Sequence, residues 1–263
     1  MIGWKEKGMR TVMPDGKIRA RGVAMAMQGS SISNCDVGSV TVKLSDEGTY
    51  HITVGCTDMG TGCDTIIAQF AADVLETPID NISVYGVDTD ISPYDSGSYA
   101  SSTTYLTGMA AVKACEQLRE RIIALAAVRM NKDASALTFD GENVIDESDG
   151  AKMSLFDIAT ASMCNNEISL EVTYSHSSPV SPPPFMAACA EIEADPETGA
   201  IELLDYTACV DCGTVVNTNL ARVQTEGGLL QGIGMTLYED IWYDERGKNL
   251  SNSFMQYKVP SRL

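Results

Sequence analysis

The sequence predicts an α+β fold: duplicated hairpin–loop–helix lobes carrying mixed β-sheets. Three features predict it. Apolar residues alternate in paired runs around tight turns, polar Gly- and Ser-rich loops follow, and runs with helical spacing come after the loops. Period two marks a half-buried strand, and spacings of three and four mark the apolar face of a helix. Paired strands around short turns indicate hairpins, and therefore α+β rather than a doubly wound parallel sheet.

The first hairpin is Val40 to Leu44, a turn at Asp46-Glu-Gly48, and Tyr50 to Val54. The loop Gly55-Cys-Thr-Asp-Met-Gly-Thr-Gly62 precedes a helix in which Ile66, Ile67, Phe70, Ala71, Val74 and Leu75 share a face, ended by Thr77-Pro78. Asn81 to Tyr85 reads as a short strand. A second polar loop, Ser92 to Thr104, leads into a long helix over Tyr105 to Met130, rich in good helix formers. Leu137 to Ile145 reads as a hairpin around Asp140-Gly141, Ser154 to Ser162 as a short helix, and Ile168 to Tyr174 as a strand.

Residues 175–184 hold four prolines and break the pattern as a linker or long surface loop. Hairpin, loop and helix then recur: strands Met186 to Ala194 and Ile201 to Val210 around Asp195-Pro-Glu-Thr-Gly199, the turn Asp211-Cys-Gly213, and a Gly-rich helix from Leu220 to Glu239. A further turn follows at Glu245-Arg-Gly247. The expected organisation is an opening segment 1–20, a first lobe 21–178, and a second lobe 179–263 truncated at its C-terminus.

Charge narrows the partners. The chain has 263 residues, with 36 Asp plus Glu against 18 Lys plus Arg, a net charge of −18. Such a surface repels nucleic acid and anionic membrane. No apolar run reaches the roughly 18 residues of a membrane span. Met1 to Arg10 is polar, with no visible signal peptide, so the expected location is the cytoplasm. Eight scattered cysteines are then read as reduced thiols. Cys209 and Cys212 lie three apart on an expected strand and point to opposite faces, which makes them packing thiols rather than metal ligands. His51 and His176 have no partner spacing for a metal site, so no protein metal ligand is expected.

Two helices begin just after the loops at 60–65 and 98–104. A helix start presents unpaired N–H groups and a positive dipole end, so either can hold an anion without Lys or Arg. The competing reading is ordinary capping, with Asp64 and Ser102 as N-caps. Neither loop is a nucleotide fingerprint: Gly60-Thr-Gly62 lacks a third glycine, and no Gly-Lys-Ser/Thr follows Gly55. The stretch Gln224 to Gly234 sets four glycines in a helix at about 1 kcal/mol each. That cost fits close approach of a ligand or tight packing, with Gln224 and Gln231 on one face. The two histidines support no Ser-His-Asp hydrolase, and carboxylate pairs are uninformative among 36 acids.

The ordered series Thr57-Asp-Met-Gly-Thr-Gly62, Gln69, Asp88-Thr89, Ala100-Ser-Ser-Thr103, Gly108 to Val112, Ala188 to Asp195, Thr198-Gly199, Asp211-Cys-Gly213, Asn217, Gln224 to Gly228 and Gln231 to Gly234 resembles the molybdenum-cofactor-binding subunit of the xanthine dehydrogenase/aldehyde oxidase family. The match is to the second half of that subunit, and runs from Arg21-Gly-Val-Ala24 to Tyr257-Lys-Val-Pro260.

The resemblance implies a molybdenum-molybdopterin cofactor whose metal is bound by the pterin dithiolene. Iron–sulfur clusters and FAD sit in other domains or subunits. It implies that Gly60, Thr61 and Gly62 lie against the pterin. Ser101, Ser102 and Thr103 hold its pyrophosphate side, Gln224 bonds the cofactor, and Tyr99 and Ala100 fall on the substrate side. Thr61 stands where the family usually has Gln, and Thr218 where proline is usual. A Gly-x-Gly-Glu-like segment, which in the family supplies the glutamate base, lies beyond Leu263, and the first half of the subunit is absent. The chain is therefore expected to be a fragment, a cloned domain or one piece of a split subunit, carrying no catalytic residue of its own. In the intact enzyme it would serve hydroxylation of purines, aldehydes or N-heterocycles with oxygen from water. Its partners would be the missing N-terminal half, the iron–sulfur and flavin domains, and a small-molecule substrate. The alternative is a noncatalytic assembly module that does not bind the cofactor on its own.

Overall fold

The computed structural model describes residues 3–165 and 169–261. It forms two compact units, Met1–Thr214 and Val215–Leu263. The first carries three sheets. After the four-residue helix α1 (Trp4–Lys7), β1 (Arg10–Val12) and β2 (Ile18–Met27) join β10 (Phe185–Ala194) and β11 (Ile201–Asp211) in the order β1-β2-β10-β11. The proline-rich segment thus leads back into a sheet begun near the start of the chain: β10 pairs β2 antiparallel from Ile18 opposite Ala194 to Met27 opposite Phe185. Cross-strand ion pairs lock that register. Arg21, 9% exposed, meets Glu191 at 2.8 Å, while Lys17 and Arg19 both reach Glu193.

The second sheet is mixed, as expected. β3 (Gly38–Leu44) and β4 (Tyr50–Val54) form the anticipated hairpin, β9 (Glu171–His176) pairs antiparallel with β3, and β5 (Ile82–Gly86) runs parallel to β4. The parallel pair is joined over helix α2 (Cys63–Leu75). Val40, Val42, Leu44, Tyr50, Ile52 and Val54 alternate into the core. Ile168, the expected start of β9, lies outside the described residues.

Helix α3 (Thr103–Met130) packs on this sheet and on α2. Its buried face runs Leu106, Ala110, Ala114, Leu118, Ile122 and Leu125, spaced by three and four. Small residues allow close approach. A Cβ on Gly108 would lie 2.6 Å from the Phe70 ring, and one on Gly38 would lie 2.5 Å from the Thr107 nitrogen. The small sheet β6 (Leu137–Phe139), β7 (Asn143–Asp146) and β8 (Lys152–Ser154) extends the expected hairpin by a strand, and α4 (Leu155–Asn165) follows.

The second unit is built on α5 (Thr218–Leu237), started by Asn217, whose Oδ1 accepts the Leu220 N–H at 3.0 Å. Beyond it Tyr243 bridges to Asn249 around a turn in which Asp244 accepts the N–H groups of Arg246 and Lys248. No described helix is long and apolar enough to cross a membrane.

Candidate functional site

Three loops of the first unit are laced together at one end of the mixed sheet. Residues 55–62 leave β4, residues 87–102 link β5 to α3, and residues 28–37 link β2 to β3. The first two meet at Ser98, whose Oγ accepts the Thr57 N–H at 2.9 Å and whose O–H donates to the Thr57 carbonyl at 2.8 Å. Only glycine fits at position 55, where a Cβ would lie 2.4 Å from the Pro93 carbonyl. The 28–37 loop runs alongside. Val37 and Ser96 exchange two hydrogen bonds, the Ser31 N–H donates to the Ala100 carbonyl at 2.8 Å, and Gln28 Nε2 donates to Ser101 Oγ at 2.5 Å.

The two helix starts differ in charge. Asp58 Oδ1 accepts the N–H groups of Gly60 and Gly62 at 2.9 and 3.1 Å. Burial opposes its ionisation, but the backbone donors of Gly60, Gly62, Asp64 and Thr61 outweigh it and hold the carboxyl below its usual range. The start of α2 therefore already carries its own anion. Asp64, expected as the cap, is instead the second residue of α2, after the N-cap Gly62 at φ 76°. Its pKa is raised by burial and by the charge of Asp58.

At α3 the N-cap is Ser102, as expected, but its side chain makes no capping bond: the hydroxyl donates back to the Tyr99 carbonyl at 2.8 Å. The first turn contains no acidic residue. An anion is thus disfavoured at α2, where an uncharged ring can lie against the exposed Gly60, and favoured at α3. A Cβ on Gly60, at φ 102°, would meet nothing within 4 Å.

Seven of the nine expected site residues fall on these two linked loops, and an eighth, Thr103, is the first residue of α3. Gly60 is exposed, and Thr61 and Gly62 are half-buried. Tyr99 and Ser101 are exposed, Ala100 is half-buried, Ser102 is buried, and Thr103 opens α3. Gln224 belongs to α5 in the other unit, where it is exposed, as is Gln231. On that helix a Cβ at Gly227, Gly228 or Gly232 would meet nothing within 4 Å; only Gly234 is crowded, by Glu239 and Pro260. Packing among the described residues therefore accounts for one of the four helix glycines.

Sequence reasoning missed the 28–37 loop. Ser31 is buried at φ 85°, and its hydroxyl has no partner among the described residues. Ala100 and Ser101 also sit in the left-handed region, at φ 49° and 55°. Such positions cost about 1–3 kcal/mol each and persist where surrounding bonds over-determine them. Beneath the 57–62 loop, Asp58, Cys63 and Asp64 bring one ligand-type atom each within 4.8 Å of one another. The hydrogen bond with the neighbouring Cys63, together with burial, pushes the Cys56 thiol up. Cys209 and Cys212 are exposed free thiols, not packed ones as expected: Cys209 lies on β11, an edge strand of its sheet, and Cys212 lies just past the end of that strand rather than on it.

Residues 1–262 match the family described as molybdopterin cofactor-binding domain. The chain is 36% identical to a probable hypoxanthine oxidase, XdhD, of Escherichia coli (strain K12), over 91% of this chain and 25% of the relative. It is 30% identical to the gamma subunit of the 6-hydroxypseudooxynicotine dehydrogenase complex of Paenarthrobacter nicotinovorans, over 98% of this chain and 33% of that subunit. The solved structure of quinoline 2-oxidoreductase from Pseudomonas putida 86 superposes with a TM-score of 0.84 at 25% identity, covering 95% of this chain and 34% of that one. The chain thus spans between a quarter and a third of the length of these relatives.

Proposed function

The chain belongs to the molybdopterin cofactor-binding domain family, and from that premise we propose that it grips the molybdopterin of a molybdenum hydroxylase. In the assembled enzyme, oxygen from water would be added to a purine, an aldehyde or an N-heterocycle. The observation that carries this reading is the contrast between the two helix starts. α2 is charge-neutralised by Asp58 and suits the pterin ring, whereas α3 is uncapped by side chains and free of carboxylates in its first turn, which suits pyrophosphate. The residues present fit the group, because the hydroxyl of the buried Ser31, without a partner among the described residues, adds a polar group beside the Ala100 backbone.

Gly60, Thr61 and Gly62 would lie against the ring, and Ser101 and Thr103 would hold the phosphates through hydroxyl and N–H groups. Ser102, whose N–H and O–H both go to the Tyr99 carbonyl, would hold the pyrophosphate side by fixing the turn that presents them. Tyr99 and Ala100 would face the substrate. Gln224, on a helix face left open by three glycines, would bond the cofactor. When bound, the cofactor supplies a Lewis-acidic redox centre. This chain's part is to orient it and to exclude water. None of the residues assigned here is a general base, and the chain's proposed part in the reaction is to hold the cofactor. The proposed partners are the rest of the molybdenum subunit and the iron–sulfur and flavin domains. The proposed compartment is the cytoplasm, a reading supported by the free thiols of the described residues.

Thr104→Glu tests the reading. Thr104 is the exposed second residue of α3, and a carboxylate there favours the helix while competing with phosphate. In the assembled enzyme, molybdenum and pterin per protein should fall about tenfold or more, with the melting temperature unchanged or raised. Full occupancy in this variant would favour the assembly-module alternative.

A further inference from the structure

We infer that Asp36 is a positioning residue for the substrate side of this site, fixing the Tyr99 ring through its hydroxyl. The role rests on the function proposed above. Asp36 lies on the 28–37 loop, which carries none of the nine residues expected at the site from the sequence, and is 1% exposed. Both carboxylate oxygens are engaged. Oδ1 accepts the Tyr99 O–H, and Oδ2 accepts the Ile32 N–H at 2.7 Å. Among the described residues no cation pairs with it. A buried carboxylate persists under those conditions only when hydrogen bonds satisfy it.

The pair explains how an exposed tyrosine is held. Tyr99 is 44% exposed, yet its hydroxyl is anchored in the protein, and a Cβ on Gly97 would lie 3.5 Å from the ring, so the ring is folded back over that glycine. Anchored at its hydroxyl and resting on Gly97, the ring offers solvent a carbon surface rather than a free donor. The Tyr99 backbone is held as well, since its carbonyl accepts the N–H and O–H of Ser102. The next two residues are the left-handed Ala100 and Ser101, themselves tied to Ser31 and Gln28. Five bonds from one loop to the next thus set the loop expected at the substrate, and Asp36 makes the one that ends on an aromatic side chain.

Two readouts test the role. In the 3-fluorotyrosine-labelled chain, the fluorine resonance of Tyr99 is assigned by its loss in Tyr99→Phe. Asp36→Asn should shift that resonance and leave the other tyrosine resonances in place. In the assembled enzyme, Asp36→Asn and Tyr99→Phe should each raise KM about tenfold, with kcat within about twofold and pterin content unchanged. The double variant should be no worse than Tyr99→Phe alone, because Phe deletes the contact that Asn only weakens. An unmoved Tyr99 resonance, or losses that multiply in the double variant, would overturn the role. Should Asp36→Asn fail to fold, Tyr99→Phe decides alone, since it deletes only the hydroxyl: an unchanged KM overturns the role. Failure of the proposed function is separately visible. A wild-type assembly without pterin would remove that function and this role together, reducing a shifted resonance to a purely structural hydrogen bond.

Discussion

Ser98 and Thr57 form a reciprocal pair: one hydroxyl both accepts the Thr57 N–H and donates to the Thr57 carbonyl, at 2.9 and 2.8 Å. It stitches the loop before α2 to the loop before α3, so the two halves of the proposed cofactor grip share one side chain. Ser98→Ala removes both bonds. Each is worth about 0.5–1.5 kcal/mol, and both are solvent-accessible, which puts the total near 1 kcal/mol. The melting temperature should drop by about 2–4 °C. Pterin content should fall by more than that loss of stability explains, because the loops lose their mutual register. A normal cofactor load in a folded Ser98→Ala enzyme would show that the loops hold their spacing without the stitch.

Gly38 supports the same region from below. Its Cα faces the first turns of α3, where an added Cβ would lie 2.5 Å from the Thr107 nitrogen and 2.7 Å from its Cα. Those are backbone atoms, so helix and strand must move apart. Thr107 in turn donates to Asp95 Oδ2 at 3.0 Å, and the Gly97 N–H reaches Asp95 Oδ1 at 2.8 Å. Gly38→Ala should therefore cost about 1–3 kcal/mol and disturb the 95–101 loop as well. Thermal or denaturant unfolding measures the first effect, and an unchanged midpoint would mean that the β3–α3 spacing yields to an added methyl group.

How far the sequence could be read follows from how local each signal is. β3, β4, α2 and α3 announce themselves through period and punctuation within a dozen residues. β2 does not. Ile18–Met27 is composed of Arg, Ala, Gly and Met around two β-branched residues, weak strand formers, and it becomes a strand by pairing with β10 far along the chain. The loop motifs near Gly60 and Ser102 are legible, but of the two acids near the start of α2 the sequence points to Asp64 as the cap candidate, whereas Asp58 is the one that reaches over the turn to N–H groups two and four residues ahead. Asp36 and Ser31 carry no signature at all. One is a carboxylate among 36 acids, and the other is a serine whose importance lies in a positive φ and a hydroxyl without a partner among the described residues.

Acid sensitivity is concentrated in part at Asp146. This buried carboxylate accepts the Ser148 O–H and N–H and meets Lys132 Nζ at 2.9 Å, and these groups depress its pKa to about 2. Its unfolded value is about 3.9. The folded form is the stronger acid, so its contribution is fully present above about pH 4 and is lost as pH falls toward 2. Asp146→Asn should be less stable than the wild type at neutral pH. The gap should close between about pH 4 and pH 2, as followed by denaturant midpoints. A gap independent of pH would assign the loss to packing rather than to the ionised carboxylate.

The last prediction concerns α5. Gln224 and Gln231 are both exposed on this helix, seven residues apart, so bulk exposure does not separate them. The proposed cofactor contact does. In the assembled enzyme Gln224→Ala should lower molybdopterin occupancy, whereas Gln231→Ala should leave it near wild type. A hydrogen bond from an amide to a charged ligand contributes roughly 1.5–3 kcal/mol, which corresponds to an affinity loss of about tenfold to a hundredfold. Folding should survive both changes, since alanine is the better helix former and neither side chain is buried. The same helix offers an independent arm. Gly228 has open space around its Cβ position, so Gly228→Ala should stabilise the isolated chain by up to about 1 kcal/mol. In the assembly it should lower cofactor content if a ligand or partner approaches that face. Equal occupancy in the two glutamine variants, with Gly228→Ala raising stability and leaving occupancy intact, would mean that this face of α5 does not meet the cofactor.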